Sequence, residues 1–411
     1  MQTVTINPSR RSLEFGIYRD GDNNLDAIQE ATLSQAVRTS RQDSRIEFTV
    51  EDTTRLRLRG DSVSEGREHT DRYTIADGEV AGANVGTAHD MSDPGNLARF
   101  VARTLDNAEI SGAKQTWVDL VDHGGGDGGG LETRAGDVMK MPDIAAAIAK
   151  GVTLHAQAHP EDAGRKIDGV VANQCLMDTM GFADALSTAG VGYLAASPET
   201  MLAPGVPSDV AHAIASHESD PHAMARAVVG DVMRTTYDAG NAGGFGPAAA
   251  FDVLDLNAAK ISRAEASIKH VNDDVASEAG VNGVRGALRE DARAIDGMVR
   301  FPQATKDMPW RADRPAIAFY DTLASDGRLS DRLRNDAEAA GEAVRDLVLA
   351  HRESAGFEPF GGSDYSDAAG PTVHLPTARG QIDPWAAAGV SETDNEFYKK
   401  VDEAAMTRVL A

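Results

Sequence analysis

A chain of 411 residues, 41% of them hydrophobic, is long enough for one large domain or two ordinary ones and can fill a sizeable core without cross-links. Lys and Arg number 40 against 64 Asp and Glu, and the resulting formal charge of −24 repels phosphate backbones and anionic lipid, so nucleic acid and membrane are not expected partners. The first 20 residues lack the apolar core and small-residue cleavage site of a secretory signal, and no apolar run is long enough to span a bilayer, which points to a cytoplasmic protein.

In chain order, strand-length apolar runs occur at residues 12–18 (SLEFGIY), 45–52 (RIEFTVED), 116–123 (TWVDLVDH), 167–175 (IDGVVANQC) and 191–197 (VGYLAAS). Helix-like segments such as NLDAIQEATLSQAVRTS, GNLARFVARTLDNAE, MPDIAAAIAKGV and LMDTMGFADALSTAG separate them. This alternation predicts an α/β fold with a mostly parallel sheet covered on both faces. From about Ala211 the segments become long and rich in alanine and charge. Residues 1–210 are therefore expected to form the core, and residues 211–411 a helix-rich region packed on it, with a late strand near 370–376 (GPTVHLP). The stretch SDRLRNDAEAAGEAVRDLVLAHRESAG reads as a single helix.

Functional groups in an open parallel sheet gather at the carboxyl ends of the strands. Two apolar runs here end in a reactive side chain: His123 closes WVDLVDH, and Cys175, the single cysteine, closes DGVVANQC. A lone cysteine is either a small buried hydrophobe or a nucleophile within reach of a histidine. Taken alone, the cysteine reads as the first, and the glycines after His123 are what the second would need. The backbone N–H groups of Gly124 and Cys175 could hold an oxyanion, and a helix starting at Leu176 would favour thiolate, while Gly128 to Gly130 read as a flexible loop. The GGGDGGG run lacks the endings of a phosphate loop, and its Asp127 would oppose an anion. Asp20, Asp22 and Asn24 match alternate positions of a calcium loop, but Leu25 and Ala31 stand where that loop needs Gly and Glu. These three could still bind a cation or shape a site. His212, His217 and His222, five apart, do not stack on one helical face and make a poor zinc site.

Taken together, GIYRDGDNNLDA, LVDHGGG, ETRAGDVMKMPDIAAAI, CLMDTMGFADAL and GYLAASPETMLAPGVP resemble the clostripain-like cysteine peptidases, relatives of gingipains, legumain, caspases and separase, over residues 12 to about 380. FDVLDLNAAKI and YSDAAGPTVHLP are similar to features of that family's C-terminal half. The resemblance implies a caspase-like three-layer α/β/α sandwich and a cysteine endopeptidase. In it Cys175 would attack the scissile carbonyl, His123 would protonate the leaving amine, and protein or peptide would be the substrate. It also implies calcium as a cofactor, no organic cofactor, and self-cleavage in the loop after the histidine, where Arg134 and Lys140 are the basic residues. Family members carry Asp two residues before the cysteine, lining the pocket for a basic side chain. Here Asn173 offers no charge, forgoing roughly 1–3 kcal/mol of charge-assisted bonding, and Glu199 is the residue that could replace it. Asp122 is expected to support the site rather than to react. Two rivals remain at this stage: a peptidase-fold scaffold that only binds, and a metal-dependent hydrolase built on Asp20, Asp22, Asp122 and His123.

Overall fold

The computed structural model describes residues 11–26, 31–59, 62–85, 87–201, 205–234, 249–281, 283–295, 312–354, 368–377 and 395–410. Its strands in chain order are β1 (Leu13–Asp20), β2 (Ile46–Arg59), β3 (Ser62–Ala76), β4 (Glu79–Asn84), β5 (Gln115–Val121), β6 (Gly130–Glu132), β7 (Val138–Met139), β8 (Gly169–Asn173), β9 (Tyr193–Ala196), β10 (Ala249–Asp255), β11 (Asp313–Pro315), β12 (Val348–Ser354) and β13 (Thr372–His374). Nine of them form one sheet in the order β12-β10-β9-β8-β5-β1-β2-β3-β4. The five central strands β9, β8, β5, β1 and β2 are parallel, and antiparallel strands complete both edges.

Burial on both faces explains why the central strands are nearly continuous apolar runs. Side chains alternate across the sheet. Phe15, Ile17, Trp117, Val121 and Val171 face a layer containing the helices Ala31–Gln42, Val210–Ser216 and Pro221–Val232. Tyr18, Val118, Leu120, Val170 and Ala172 face the other layer, with the helices Pro94–Ser111, Met141–Ala158, Met180–Thr188 and Ala258–Glu278. The result is the expected three-layer α/β/α sandwich. Local signals set the helix ends: Asp93 caps Pro94–Ser111 by accepting from the Gly95 N–H at 2.7 Å, Pro94 occupies the first turn, and Gly112 closes the helix with φ 68°.

Several elements differ from the sequence expectation. Residues 331–354 do not form one helix, because the helix Asp331–Arg345 is followed by β12. With β10, that strand gives the sheet two members from beyond residue 210. The late strand, β13, pairs with β11 in a separate two-stranded sheet instead of joining the main one. No helix starts at Leu176, which has φ 65°. The helix after the cysteine starts at Met180, where Thr179 caps it by accepting from the Phe182 N–H at 3.0 Å. Among the described residues no helix is long and apolar enough to cross a membrane.

Candidate active site

The strand ends expected to carry chemistry do converge. β5 pairs with β1 on one side and with β8 on the other, so the loops beginning at Gly21, Asp122 and Gln174 leave one edge side by side. The first loop is tied down by buried charge. Arg19, 1% exposed, lies 2.7 Å from Asp52 and 3.2 Å from Asp26, and Asp26 also accepts from the Thr54 hydroxyl and the Arg55 N–H. So anchored, the loop presents two amides to its neighbour. Asn23 Nδ2 donates to Asp122 Oδ1 at 2.5 Å and to the Glu132 carbonyl at 2.8 Å, and Asn24 Oδ1 lies 2.8 Å from His123 Nε2. Asp122 thus bonds to Asn23, and Asn24 is the side chain that meets the imidazole.

Gly124 brings the histidine loop onto the cysteine. A Cβ at this position would lie 2.7 Å from Gln174 Cβ, 3.0 Å from Cys175 N and closer still to the Cys175 carbonyl oxygen. Only glycine permits that approach. Gln174 Nε2 closes the contact by donating to the His123 carbonyl at 2.9 Å. The rest of the glycine run is packed rather than a free loop. Gly125 N–H donates to the Gly129 carbonyl at 2.8 Å, Gly126–Gly128 form a 3₁₀ turn, and Gly129, with φ 113°, has the Met139 carbonyl where a Cβ would stand.

Asp127, which sequence reasoning read only as an argument against phosphate, has a structural use. Its carboxylate accepts from the Thr179 hydroxyl at 2.5 Å and from the Tyr398 hydroxyl. Burial, reinforced by Asp313, pushes it up to about 6 despite those two donors. The helix Glu396–Lys400 thus reaches the glycine loop through Tyr398, a link with no sequence signal.

The electrostatics correct one expectation. Burial pushes the Cys175 thiol up, partly offset by the Met201 N–H 3.3 Å from Sγ, while Glu199 and Asp122 push it further up. Burial also lowers His123, with Glu132 opposing. Both shifts run against a preformed thiolate–imidazolium pair, and the helix expected at residue 176 to favour thiolate begins four residues later. Two further acids are perturbed nearby. Burial raises Asp20 to about 7, and burial followed by the charge of Asp20 raises Asp122 well above the carboxylate range.

Both expected pocket residues are buried, whereas the two basic residues of the expected processing loop are not. Asn173 is buried, its amide donating to the Val206 carbonyl at 3.1 Å and accepting from the Val206 N–H at 2.8 Å. Glu199 is fully buried, accepting from the Thr200 N–H at 2.9 Å. Arg134 is exposed in the turn between β6 and β7, where Gly136 N–H closes onto the Thr133 carbonyl at 2.9 Å. Lys140 is half-buried at the N-terminus of the helix Met141–Ala158, and its carbonyl accepts from the Asp143 and Ile144 N–H groups.

No family model and no curated protein sequence matches the chain. Its structure is similar to that of an inactive zymogen C11 protease from Parabacteroides distasonis, with a TM-score of 0.63 and 15% identity over 96% of this chain and 99% of the other. It is also similar to a secreted C11 cysteine protease from Bacteroides thetaiotaomicron in complex with an irreversible peptide inhibitor, at 0.63 and 13% over 95% and 99%. A further structure of a secreted C11 cysteine protease from that organism, "iotapain", aligns at 0.57 and 14% over 98% and 99%. The chain has the caspase-like fold of the C11, clostripain-type cysteine proteases.

Proposed function

We propose that this protein is a cysteine endopeptidase that cleaves peptide bonds with Cys175 as nucleophile and His123 as its proton carrier. The observation that carries the reading is the close approach at Gly124, which joins the loop of the only cysteine to the loop of a histidine held by Asn24. With Nε2–H donating to Asn24, Nδ1 is left to take the thiol proton as sulfur attacks the carbonyl carbon. The N–H groups of Gly124 and Cys175 then stabilise the oxyanion. The imidazolium returns its proton to the leaving amine, and water activated by the same ring releases the acyl group from sulfur. Burial holds the thiol up, so attack calls for a base that accepts its proton.

Specificity for a basic side chain is not carried by Asn173, whose carboxamide is spent on Val206, and Glu199 would have to turn from its bonds to Thr200 to supply the charge. Self-cleavage belongs at Arg134 rather than Lys140: the former is an exposed turn residue, and the latter opens a helix. Calcium is proposed on the family resemblance. Asp20 Oδ2 and Asp122 Oδ2, both buried without a hydrogen-bond partner among the described residues, fit a cation, which would neutralise that carboxylate pair beside the catalytic loop.

The test is cleavage of a fluorogenic peptide library by wild type and Cys175→Ala, with calcium and with chelator. Activity that disappears in the mutant is the expected result. If wild type and mutant are equally silent under both conditions, and an electrophilic peptide labels Cys175 no faster than a free thiol, the binding-scaffold reading replaces this one.

A further inference from the structure

We propose that His155, through Nε2, forms with Glu109 and Asp162 a binding site for one divalent transition-metal ion of the zinc class, with Asp106 and His159 packed behind it. The site lies away from the peptidase groups. The helix Pro94–Ser111 ends just before β5 begins and the helix Met141–Ala158 ends before β8 begins, so their C-terminal ends lie at the sheet edge where the parallel strands start. His123 and Cys175 follow the opposite edge.

Two helices bring four of these residues together at helical spacing. His155 and His159 are four residues apart at the end of one helix, their rings stacked with centroids 4.9 Å apart. Asp106 and Glu109, three apart, face them from the other helix. His155 Nδ1 lies 2.7 Å and His159 Nε2 3.4 Å from Asp106 Oδ1, while His159 Nδ1 lies 2.7 Å from Glu109 Oε2. The ligand atoms of Asp106, His155 and His159 all fall within 4.8 Å of one another, as do those of Glu109, His155 and Asp162.

Tetrahedral zinc with bonds of 2.0–2.2 Å sets its ligand atoms roughly 3.3–3.5 Å apart. The 3.4 Å between His155 Nε2 and Asp162 Oδ2 is already at that value, and Asp106, 2.7 Å from Nδ1, holds the ring with Nε2 as the metal-facing nitrogen. Ion pairing alone does not account for the arrangement. The His155 side chain is fully buried, and its Nε2 has no hydrogen-bond partner among the described residues although Asp162 Oδ2 is 3.4 Å away. A buried imidazole nitrogen left unpaired in a ring of carboxylates is a group in search of a ligand. Arg165 pairs with Asp162 and so holds this third acid at the rim. Asp106, Glu109 and His159 are each about one-third exposed, which gives an ion a way in.

The experiment uses full-length Cys175→Ala protein, untagged and stripped with chelator, so that the thiol takes no metal. Zinc is titrated in competition with a chromophoric chelator, and cobalt is added separately to read ligand-field absorption. One zinc per chain, a raised melting temperature and tetrahedral cobalt bands are expected, with affinity falling about tenfold or more in Asp162→Asn and in Glu109→Gln. Both positions are partly exposed, and circular dichroism checks that each variant folds. Glu338→Gln, an exposed acid elsewhere on this acidic chain, controls for non-specific binding and leaves affinity unchanged. The proposal is overturned if the parent binds no zinc, or if Asp162→Asn and Glu109→Gln bind zinc and cobalt as the parent does.

Discussion

Gly124→Ala tests the geometry on which the proposed chemistry rests. Gly124 is not in the left-handed region, so alanine adds a steric cost and no conformational one. Ordinary contact for a Cβ begins near 3.4 Å, whereas this one would stand 2.7 Å from Gln174 Cβ and nearer still to the Cys175 carbonyl. Two of the three nearest atoms are backbone atoms of Cys175, and no rotamer change removes them. The histidine and cysteine loops must separate by roughly 1 Å, a displacement that can cost about a hundredfold in rate when it falls between reacting groups. Strain of this kind in a packed region costs roughly 1–3 kcal/mol of stability. Gly136→Ala is the counterpart: φ there is 86° with nothing within 4 Å, so it costs roughly 1–2 kcal/mol of backbone conformation and leaves activity intact. Peptide cleavage with urea unfolding of both variants separates the cases. Equal stability losses with wild-type kcat/KM in Gly124→Ala would refute the claim that this approach assembles the site.

Three further predictions follow from individual contacts. Asn24→Ala, at an exposed position, should lower kcat by roughly ten- to a hundredfold with little change in KM, and Asn24→Asp, which keeps an acceptor for His123 Nε2, should restore most of it; equal loss in both would refute an orienting role. Asp127 sits near 6 in the fold against 3.8 outside it, so its contribution is fully present below pH 4 and lost as pH rises through 6, a loss of about 3 kcal/mol that Asp127→Asn should remove, seen as a flatter stability profile between pH 4 and 7. Asn173→Asp should destabilise by roughly 3–5 kcal/mol, because it trades the amide donor to Val206 for a charge beside buried Asp119, which already lies well above the carboxylate range; thermal unfolding near neutral pH measures it, and undiminished stability with new cleavage after arginine would show that residue 173 faces the substrate instead.

How far the sequence could be read depended on where each element is buried. β1, β5, β8 and β9 are central and covered on both faces, so their apolar runs were visible and the residues ending them could be matched to one edge. β12 lies at an edge. Its VLAHRES has the charge pattern of a surface helix and directly follows a real one, so helical periodicity absorbed it. Residue 176 shows a different failure. Leu-Met after the cysteine fitted an apolar helix start, but Leu176 is left-handed, and the capping threonine three residues later was the true signal.

Contacts between distant segments were legible only where both ends carried a motif. Asn24 and His123 are 99 positions apart, yet each stood in a stretch that had drawn notice by itself; only their pairing required the fold. Asp127 and Tyr398 are separated by 271 positions, and nothing in the sequence around Tyr398 hints at the bond. The departure at residue 173 belongs to the same class. From sequence it is a missing charge in a substrate pocket. In the fold its amide answers the Val206 backbone on one side and a buried Asp119 carboxylate on the other. A second carboxylate there would face an acceptor and an acid at once. The asparagine is therefore explained by its neighbours in the fold, before any substrate is considered.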